Sequence, residues 1–466
     1  MTQTTHLDVG ALRARLSGPV LTPQDAEYDE ARILWNGAIS RRPAVIAQPR
    51  TATEVSAAVL FARDNELEIA VRGGAHSTPG LSCVDDGLVV DLRLMRDVTV
   101  DPESRRARVG GGATLGDKDA ATLAHGLAST GGIVSHTGVG GITLVGGMGW
   151  LTRKAGLALD ALVSAEVVTA DGQVLRAAED ENPDLFWALR GGGGNFGVVT
   201  SFEYELVEVD PTVQFGLFFW DLDHGPDALR LARDVIATLP ESLSVILAGV
   251  NAPPAPFVPE QHRLQPGYVL LLTGFGDPVG HEAVADRIRR DAPPLFEFVT
   301  EMPYVQLQQL FDEENPFGIH CYDKGLYLPD LTDEVIAVVA EHLGRKESPD
   351  SALFLYRLDG AYSRVGEDDT AFGGGRSPRY TAFIIGMGWS PEVMARETEW
   401  VRAFREALSP HAVESGSYLN GEADVGQERV RASYGHKLER LARIKATYDP
   451  DNVFHRTANI RPAVPA

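Results

Sequence analysis

The sequence predicts an α+β fold, on three observations. From Arg41 to about Val207, short strands, hairpins and helices follow one another without strict strand–helix–strand alternation. A less repetitive middle, from about Asp210 to Gly416, mixes strand-like runs with amphipathic helices and proline clusters such as Pro253-Pro254-Ala255-Pro256, and reads as a separate domain. A helical pattern then returns from Gln427 to Tyr448 and is closed by Asp449-Pro450.

The elements can be justified in order. Thr51-Ala52-Thr53-Glu54 has the form of a capping box, and Val55, Ala58, Val59 and Ala62 then recur on one helical face. Leu67, Ile69 and Val71 alternate with Glu68 and Ala70, so a strand is expected to run into Arg72-Gly73-Gly74-Ala75-His76, leaving His76 on a loop. Leu88 to Leu92 is a second strand. Ala165 to Leu175 is expected to form a hairpin, with Asp171-Gly172 supplying the tight turn. Asn182 to Leu189 reads as a helix and Val198 to Leu206 as a strand.

Composition narrows the function. The 65 acidic side chains outnumber the 42 basic ones, giving a net charge of -23, which opposes binding to nucleic acid because that depends on Lys and Arg neutralising phosphates. No segment approaches the roughly 20 apolar residues of a membrane helix, and Met1 to Val20 lacks the apolar core of a secretory signal, so a cytoplasmic protein is expected. Cys83 and Cys321, far apart in sequence, are expected to be reduced packing residues, and no metal site is foreseen.

Three glycine clusters lie close together: Gly110 to Gly112, Gly138-Val139-Gly140-Gly141 with Gly146-Gly147, and Gly191 to Gly194 with Asn195-Phe196-Gly197. Glycine lets backbone N–H groups approach a ligand with no Cβ in the way, which suits a pyrophosphate. Gly192, Gly194 and Gly197 have the spacing of a dinucleotide fingerprint, but that fingerprint follows a strand and opens a helix. Here a helix precedes and a strand follows, so a Rossmann reading is rejected.

The strings Arg72-Gly73-Gly74-Ala75-His76-Ser77, Gly138 to Leu151, and Asn182 to Gly197, with Tyr448-Asp449-Pro450, Asn452-Val453-Phe454 and Asn459-Ile460 near the end, resemble the berberine-bridge-enzyme-like branch of the vanillyl-alcohol-oxidase type flavoproteins. The motifs span both ends of the chain in the family's order. The resemblance implies a two-subdomain FAD-binding domain of the PCMH type in residues 1–207, a substrate domain with an antiparallel sheet flanked by helices in 208–420, and a segment, 421–466, that completes the FAD domain. It also implies an FAD-dependent oxidoreductase passing hydride from an alcohol, sugar or secondary metabolite to the flavin, with dioxygen as acceptor. The partners are then a small-molecule substrate and O2, with the oligomeric state left open.

By the same resemblance His76 is the residue joined to the flavin 8α-methyl, with Arg72, Gly73, Gly74 and Ser77 around it. Ala75 stands where the family commonly has a third glycine. Gly138, Gly140, Gly141, Gly146, Gly147, Gly197 and Val199 are implied as further cofactor contacts, as are Asn452 and Asn459. Many relatives attach the flavin a second time through a cysteine four residues before Gly138; Val134 occupies that position, so a single histidyl link is implied. Ser135-His136-Thr137 resembles a bacterial branch typified by the favorskiiase-like flavoenzyme of enterocin biosynthesis. There His136 is a cofactor contact and Thr137 faces the reactive edge of the ring, either as a valine isostere or as the mark of a flavin-N5-oxide oxygenase acting on a polyketide-like or reactive carbonyl substrate. Tyr418-Leu419-Asn420 resembles the family's Tyr-X-Asn motif, which implies Tyr418 as the catalytic base, its pKa lowered by neighbours, and Asn420 as a cofactor contact. His320, Tyr322, Lys324 and Tyr380 lie in strand-like segments, where either a pocket role or an ordinary packing role is open. From a different functional class, a non-redox flavin-binding protein also fits these motifs.

Overall fold

The computed structural model describes residues 7–413, 416–424 and 426–464; residues 1–6 of the expected first domain, 414–415 of the expected substrate domain, and 425 and 465–466 of the expected C-terminal segment lie outside it. Strands β1 (Val20–Leu21), β2 (Val45–Ala47), β3 (Ile69–Arg72) and β4 (Leu88–Asp91) form a small sheet in the order β1-β2-β4-β3, with β2, β4 and β3 parallel. The strand before His76 is shorter than its alternation suggested. Ala70 is as fully buried as Ile69, because one face of this sheet packs with the Ala52–Asp64 helix and the other with Tyr28 and Leu34. Only half of the expected capping box forms: Thr51 accepts the Glu54 N–H, but the Glu54 carboxylate takes the N–H groups of Arg50 and Ser17 instead of that of Thr51.

A second, antiparallel sheet contains β5 (Val98–Asp101), β6 (Arg106–Gly110), β8 (Leu162–Val168), β9 (Val174–Ala178) and β10 (Val198–Glu205) in the order β5-β6-β10-β8-β9. Between β6 and β8, β7 (Leu127–Ala128) pairs with β11 (Val207–Glu208). The expected hairpin is β8–β9, longer at both ends than foreseen. Its loop has three residues, not two: Thr169 N–H donates to Gln173 O, Gly172 N–H to Thr169 O, and Gly172 takes a φ of 81°. A type I turn followed by a left-handed glycine gives the same strand twist with one more residue. The Pro183–Leu189 helix, the glycine loop and β10 follow in the order read from the sequence.

The middle of the chain builds a seven-stranded, wholly antiparallel sheet from β12 (Thr212–Asp221), β13 (Leu243–Asn251), β14 (Pro266–Gly274), β15 (Phe296–Pro303), β16 (His320–Leu328), β17 (Ala352–Leu358) and β18 (Arg379–Gly388), in the order β15-β12-β14-β13-β17-β18-β16. Alternate residues feed two cores. Val245, Leu247, Leu270 and Leu272 point to a layer of helices that includes Gly225–Ile236, Asp333–Leu343 and Pro391–Leu408. Ile246, Ala248, Val269 and Leu271 point the other way, onto Met148, Trp150, Leu157 and Tyr418. Both faces are covered, so these strands read as continuous apolar runs.

The C-terminal helix expected from Gln427 to Tyr448 is two helices, Gln427–Tyr434 and Leu438–Tyr448, separated by a turn at Gly435, whose φ is 52°. Past the second helix the buried Lys445 ammonium donates to Asn195 O at 2.7 Å, Phe454 O at 3.0 Å and Asp449 Oδ2 at 2.6 Å, while Asp449 accepts the N–H groups of Val453 and Phe454. The last segment is thereby folded back onto the 191–197 loop, where Asn195 also bonds Ala458 O and Ile460 N. Among the described residues no helix is long and apolar enough to cross a membrane.

Candidate active site

A cavity of about 430 Å³ opens where the two N-terminal sheets, the large sheet and the C-terminal segment meet. One wall is glycine backbone: Gly73, Gly74, Gly111, Gly138, Gly140, Gly141, Gly194 and Gly197 all line it. Gly74 and Gly138 sit so close that a Cβ on either would stand 2.2 Å from the other's backbone N. A Cβ on Gly141 or Gly194 would meet nothing within 4 Å, so at these points the wall is open backbone against free space. Val199, Leu144 and Phe202 supply an apolar surface beside it. A surface of unobstructed backbone next to an apolar slot fits a ligand that is part polyphosphate and part flat ring.

His76 enters this cavity from the loop after β3. The loop turns at Ala75, whose φ of 61° puts an alanine in left-handed backbone where glycine is the easy choice, and Ala75 O holds the Trp35 N–H at 3.1 Å. Trp35, which the sequence reading missed, stacks on the His76 ring with centroids 5.2 Å apart and planes 18° apart. The other flank of His76 is His136, with Nε2 of His76 2.7 Å from Nδ1 of His136. Burial, reinforced by His136, lowers the His76 pKa to about 3, so the ring is neutral at pH 7. His136 does not itself line the cavity; Thr137, beside it, does. Ser77 lines the cavity and its Oγ accepts the Leu81 N–H.

Arg72 is buried below the loop, donating to Ala31 O with Asp91 beside it at 3.9 Å, and does not reach the cavity. Asn452 and Asn459 are also away from the lining. Asn452 adopts a φ of 54° and its carbonyl accepts from His455, while the Asn459 carbonyl accepts from Gln427. Gly146 and Gly147 lie under Tyr418: a Cβ on Gly146 would stand 2.8 Å from the Tyr418 ring.

Tyr418 and Asn420 also line the cavity. The phenol oxygen of Tyr418 accepts the Gly147 N–H at 3.0 Å and the Asn420 amide at 3.4 Å, and that amide also donates to Gly141 O at 3.0 Å. Both donors favour the phenolate, yet burial outweighs them and the Tyr418 pKa is raised, opposite to the lowering the motif implied. Phe383 meets the ring edge-on at 5.8 Å.

The four strand residues left open in the sequence do not line the cavity. Tyr380 packs in the helix-side core, Tyr322 bonds Asp424 and Arg402, and Lys324 pairs with Glu422. Asp323, between Tyr322 and Lys324, is the one that reaches it. Thr78 Oγ1 donates to its Oδ2 at 3.0 Å, its Oδ1 is buried without a partner, and burial raises its pKa to about 7. The signal was available: strand alternation puts Asp323 opposite in phase to Tyr322 and Lys324.

Residues 43–178 match the FAD binding domain model and residues 417–461 the model for berberine and berberine-like proteins. The (R)-6-hydroxynicotine oxidase of Paenarthrobacter nicotinovorans is 31% identical over 96% of this chain and 97% of its own length. The chain belongs to the berberine-bridge-enzyme-like family of FAD-linked oxidoreductases. Xylooligosaccharide oxidase of Thermothelomyces thermophilus is 30% identical over 96% of this chain and 92% of that protein. Among solved structures, glucooligosaccharide oxidase from Acremonium strictum, described as carrying 6-S-cysteinyl, 8α-N1-histidyl FAD, is 25% identical and superposes with a TM-score of 0.85 over 99% of this chain and all of that one. This berberine-bridge-like chain is therefore an FAD-binding enzyme, and the backbone wall and apolar slot of the cavity suit such a cofactor.

Proposed function

We propose that this chain is an oxidase that carries its FAD on a single covalent link through His76 and uses Tyr418 as the proton acceptor for an alcohol, sugar or secondary-metabolite substrate. The observation that carries the reading is that His76 and Tyr418, distant in sequence, line one glycine-walled cavity. FAD, when bound, supplies the acceptor for the substrate's hydride and hands the electrons to dioxygen.

The protein's own groups do the rest. The wall from Gly138 to Gly141, with Gly194, Gly197 and Val199, receives the cofactor, and the neutral His76 ring tethers it. Val134 lines the cavity where many relatives carry the second attachment and has no sulfur to give one. Tyr418 holds the substrate hydroxyl and takes its proton, with the Gly147 N–H and the Asn420 amide stabilising the oxygen as charge develops. Asp323, on β16, and Thr78, on the loop after β3, orient the substrate. The division of labour we infer is residues 1–207 with 421–466 for the cofactor and 208–420 for the substrate.

The test is direct. The yellow protein is precipitated with acid, and its intact mass and peptides are examined. One FAD is expected to stay with the pellet, on the peptide containing His76 alone, and His76→Ala is expected to release it. Flavin lost quantitatively from the wild-type pellet, or found on a second peptide, overturns the single histidyl link. Anaerobic mixing with candidate alcohols and sugars is expected to bleach the flavin band, with peroxide formed once air is admitted. Incorporation of oxygen-18 from O2 into product overturns the oxidase reading.

A further inference from the structure

Three aromatic side chains that line the cavity meet in successive right angles. Tyr356 on β17 and Phe383 on β18 have centroids 5.6 Å apart and planes at 84°, and Phe383 meets Tyr418 at 5.8 Å and 88°. Ring faces carry the negative part of the aromatic quadrupole, so a corner of this kind attracts a cation. A carboxylate stands beside it. In the register of β16 and β18, Asp323 lies opposite Ile385 and Gly325 opposite Phe383, which makes Asp323 and Phe383 diagonal neighbours, about 7–8 Å apart by strand geometry. Gly325 has no side chain to separate them.

Asp323 is 8% exposed, and while its Oδ2 accepts from Thr78, its Oδ1 is buried without a partner. Glu422 also lines the cavity, but its charge is met: Oε2 accepts from Lys324 at 3.1 Å and Oε1 lies 3.9 Å from Arg429 Nε. Lys324, next to Asp323 in the chain, is committed to Glu422 and Asp424. Among the described residues Arg456 is the one Lys or Arg that lines the cavity, and it pairs with Glu68. No cation of the protein therefore answers Asp323.

We propose that this corner is a cation subsite, and that the substrate is a vicinal amino alcohol, such as an amino sugar, whose protonated amine is held by the Asp323 carboxylate and the faces of Tyr356 and Phe383 while its neighbouring hydroxyl is oxidised. The inference rests on the alcohol-oxidising reading above and names its substrate class. A neutral hydroxyl can bond to Oδ1 but gains little from the ring faces; an ammonium gains from both. The bound cation also opposes the effect of burial on its neighbours. It favours the charged form of Asp323, whose pKa burial pushes up to about 7, and the phenolate of Tyr418, whose pKa burial also raises. Binding the right substrate thus helps to ready the base.

The experiment uses the holoenzyme and two matched sets, glucosamine with glucose and N-acetylglucosamine, and phenylethanolamine with phenylethanediol. They are mixed anaerobically at a pH where the amines are protonated; binding is read from perturbation of the flavin spectrum and oxidation from its bleaching. The amine is expected to half-saturate about 30-fold below its neutral counterparts, as for a desolvated cation on aromatic faces. Asp323→Asn keeps the shape and removes the charge, and is expected to shrink that ratio by about 30-fold or more, the loss typical of a buried charge pair with one partner removed. Phe383→Leu, which leaves Asp323 untouched, is expected to shrink it by about 3- to 30-fold. Equal binding of amine and neutral members to wild type overturns the proposal, as does failure of every member to bind or a ratio that neither substitution changes. Release of ammonia from the amine overturns the anchoring role, because the carbon bearing nitrogen would then be the one oxidised. Amine-selective binding with no bleaching supports the subsite and sinks the alcohol-oxidising reading, whereas bleaching by all members alike does the reverse.

Discussion

At Tyr418 two influences oppose each other: the Gly147 and Asn420 donors favour a phenolate, while complete burial disfavours it, and burial prevails. A base of this kind is weak until substrate hydroxyl and developing charge are both in place, so its contribution belongs to the chemical step. Tyr418→Phe removes one oxygen and leaves the edge-on packing with Phe383 intact. We expect flavin attachment to survive and flavin reduction, followed by anaerobic stopped flow, to slow by about 10²–10⁴-fold; a change of only a few-fold excludes Tyr418 as the base. Asp323 gives a prediction for stability. Its pKa in the folded protein is about 7, above the value of 3.8 for a free aspartate. Between those values the native state holds a proton that the unfolded chain has released, so stability contributed by this group is present below about pH 4 and is lost as the pH rises to about 7. Asp323→Asn removes that loss. The melting temperature of the variant relative to wild type should therefore climb between pH 4 and pH 7, and a constant difference across that range would count against a buried, proton-holding carboxyl.

Single elements carry the next level of control. β16 shows how a strand can hide a site: Tyr322 and Lys324 were visible as chemistry-bearing residues, but period-two alternation turns the residue between them, Asp323, to the cavity. The C-terminal helix shows the reverse, a pattern that reads as continuous but breaks at Gly435 because a left-handed residue cannot continue a helix. What fixes the segment beyond that helix is Lys445, fully enclosed and bonded to Asp449 and two carbonyls. Removing one member of a buried ion pair leaves the other uncompensated, at a cost of about 3–5 kcal/mol. Lys445→Met should lower the unfolding midpoint in urea accordingly and loosen flavin binding, because Phe454, Thr457 and Ala458 of the released segment line the cavity. A variant with wild-type midpoint and flavin content would show that the segment is held by its apolar contacts alone.

Across the whole molecule the large sheet is docked on the N-terminal sheets and contributes Asp323, Tyr356 and Phe383 to the cavity. Much of that docking is apolar, Met148, Trp150 and Leu157 against Ile246, Val269 and Leu271. Arg153 adds a polar lock: almost completely buried, it donates to Leu239 O and Pro240 O at 3.1 Å each, to Leu243 O, and to the Asp359 carboxylate. Arg153→Met leaves several buried acceptors without their donor, each costing about 1–3 kcal/mol. A chain of this size need not unfold in one step, so the sensitive measurement is limited proteolysis. We expect cleavage near residues 206–212, where the two halves join, to accelerate well before global melting falls in proportion; an unchanged cleavage pattern would mean that apolar contact suffices.

The sequence by itself determined the α+β class, the reversed order of helix, glycine loop and strand that rules out a Rossmann unit, and the place of His76 on a loop, because periodicity, glycine spacing and turn chemistry are local. Its motifs also led to the family and the flavin. Only the tertiary structure decided that His76 faces His136 and Trp35, that Arg72, Asn452 and Asn459 stand outside the cavity, that Tyr418 resists ionisation more than its motif implied, and that Asp323 enters the site. Those facts depend on contacts between segments up to several hundred residues apart, and on burial, which sets a pKa or a hydrogen-bond partner only after the whole chain has closed around the group.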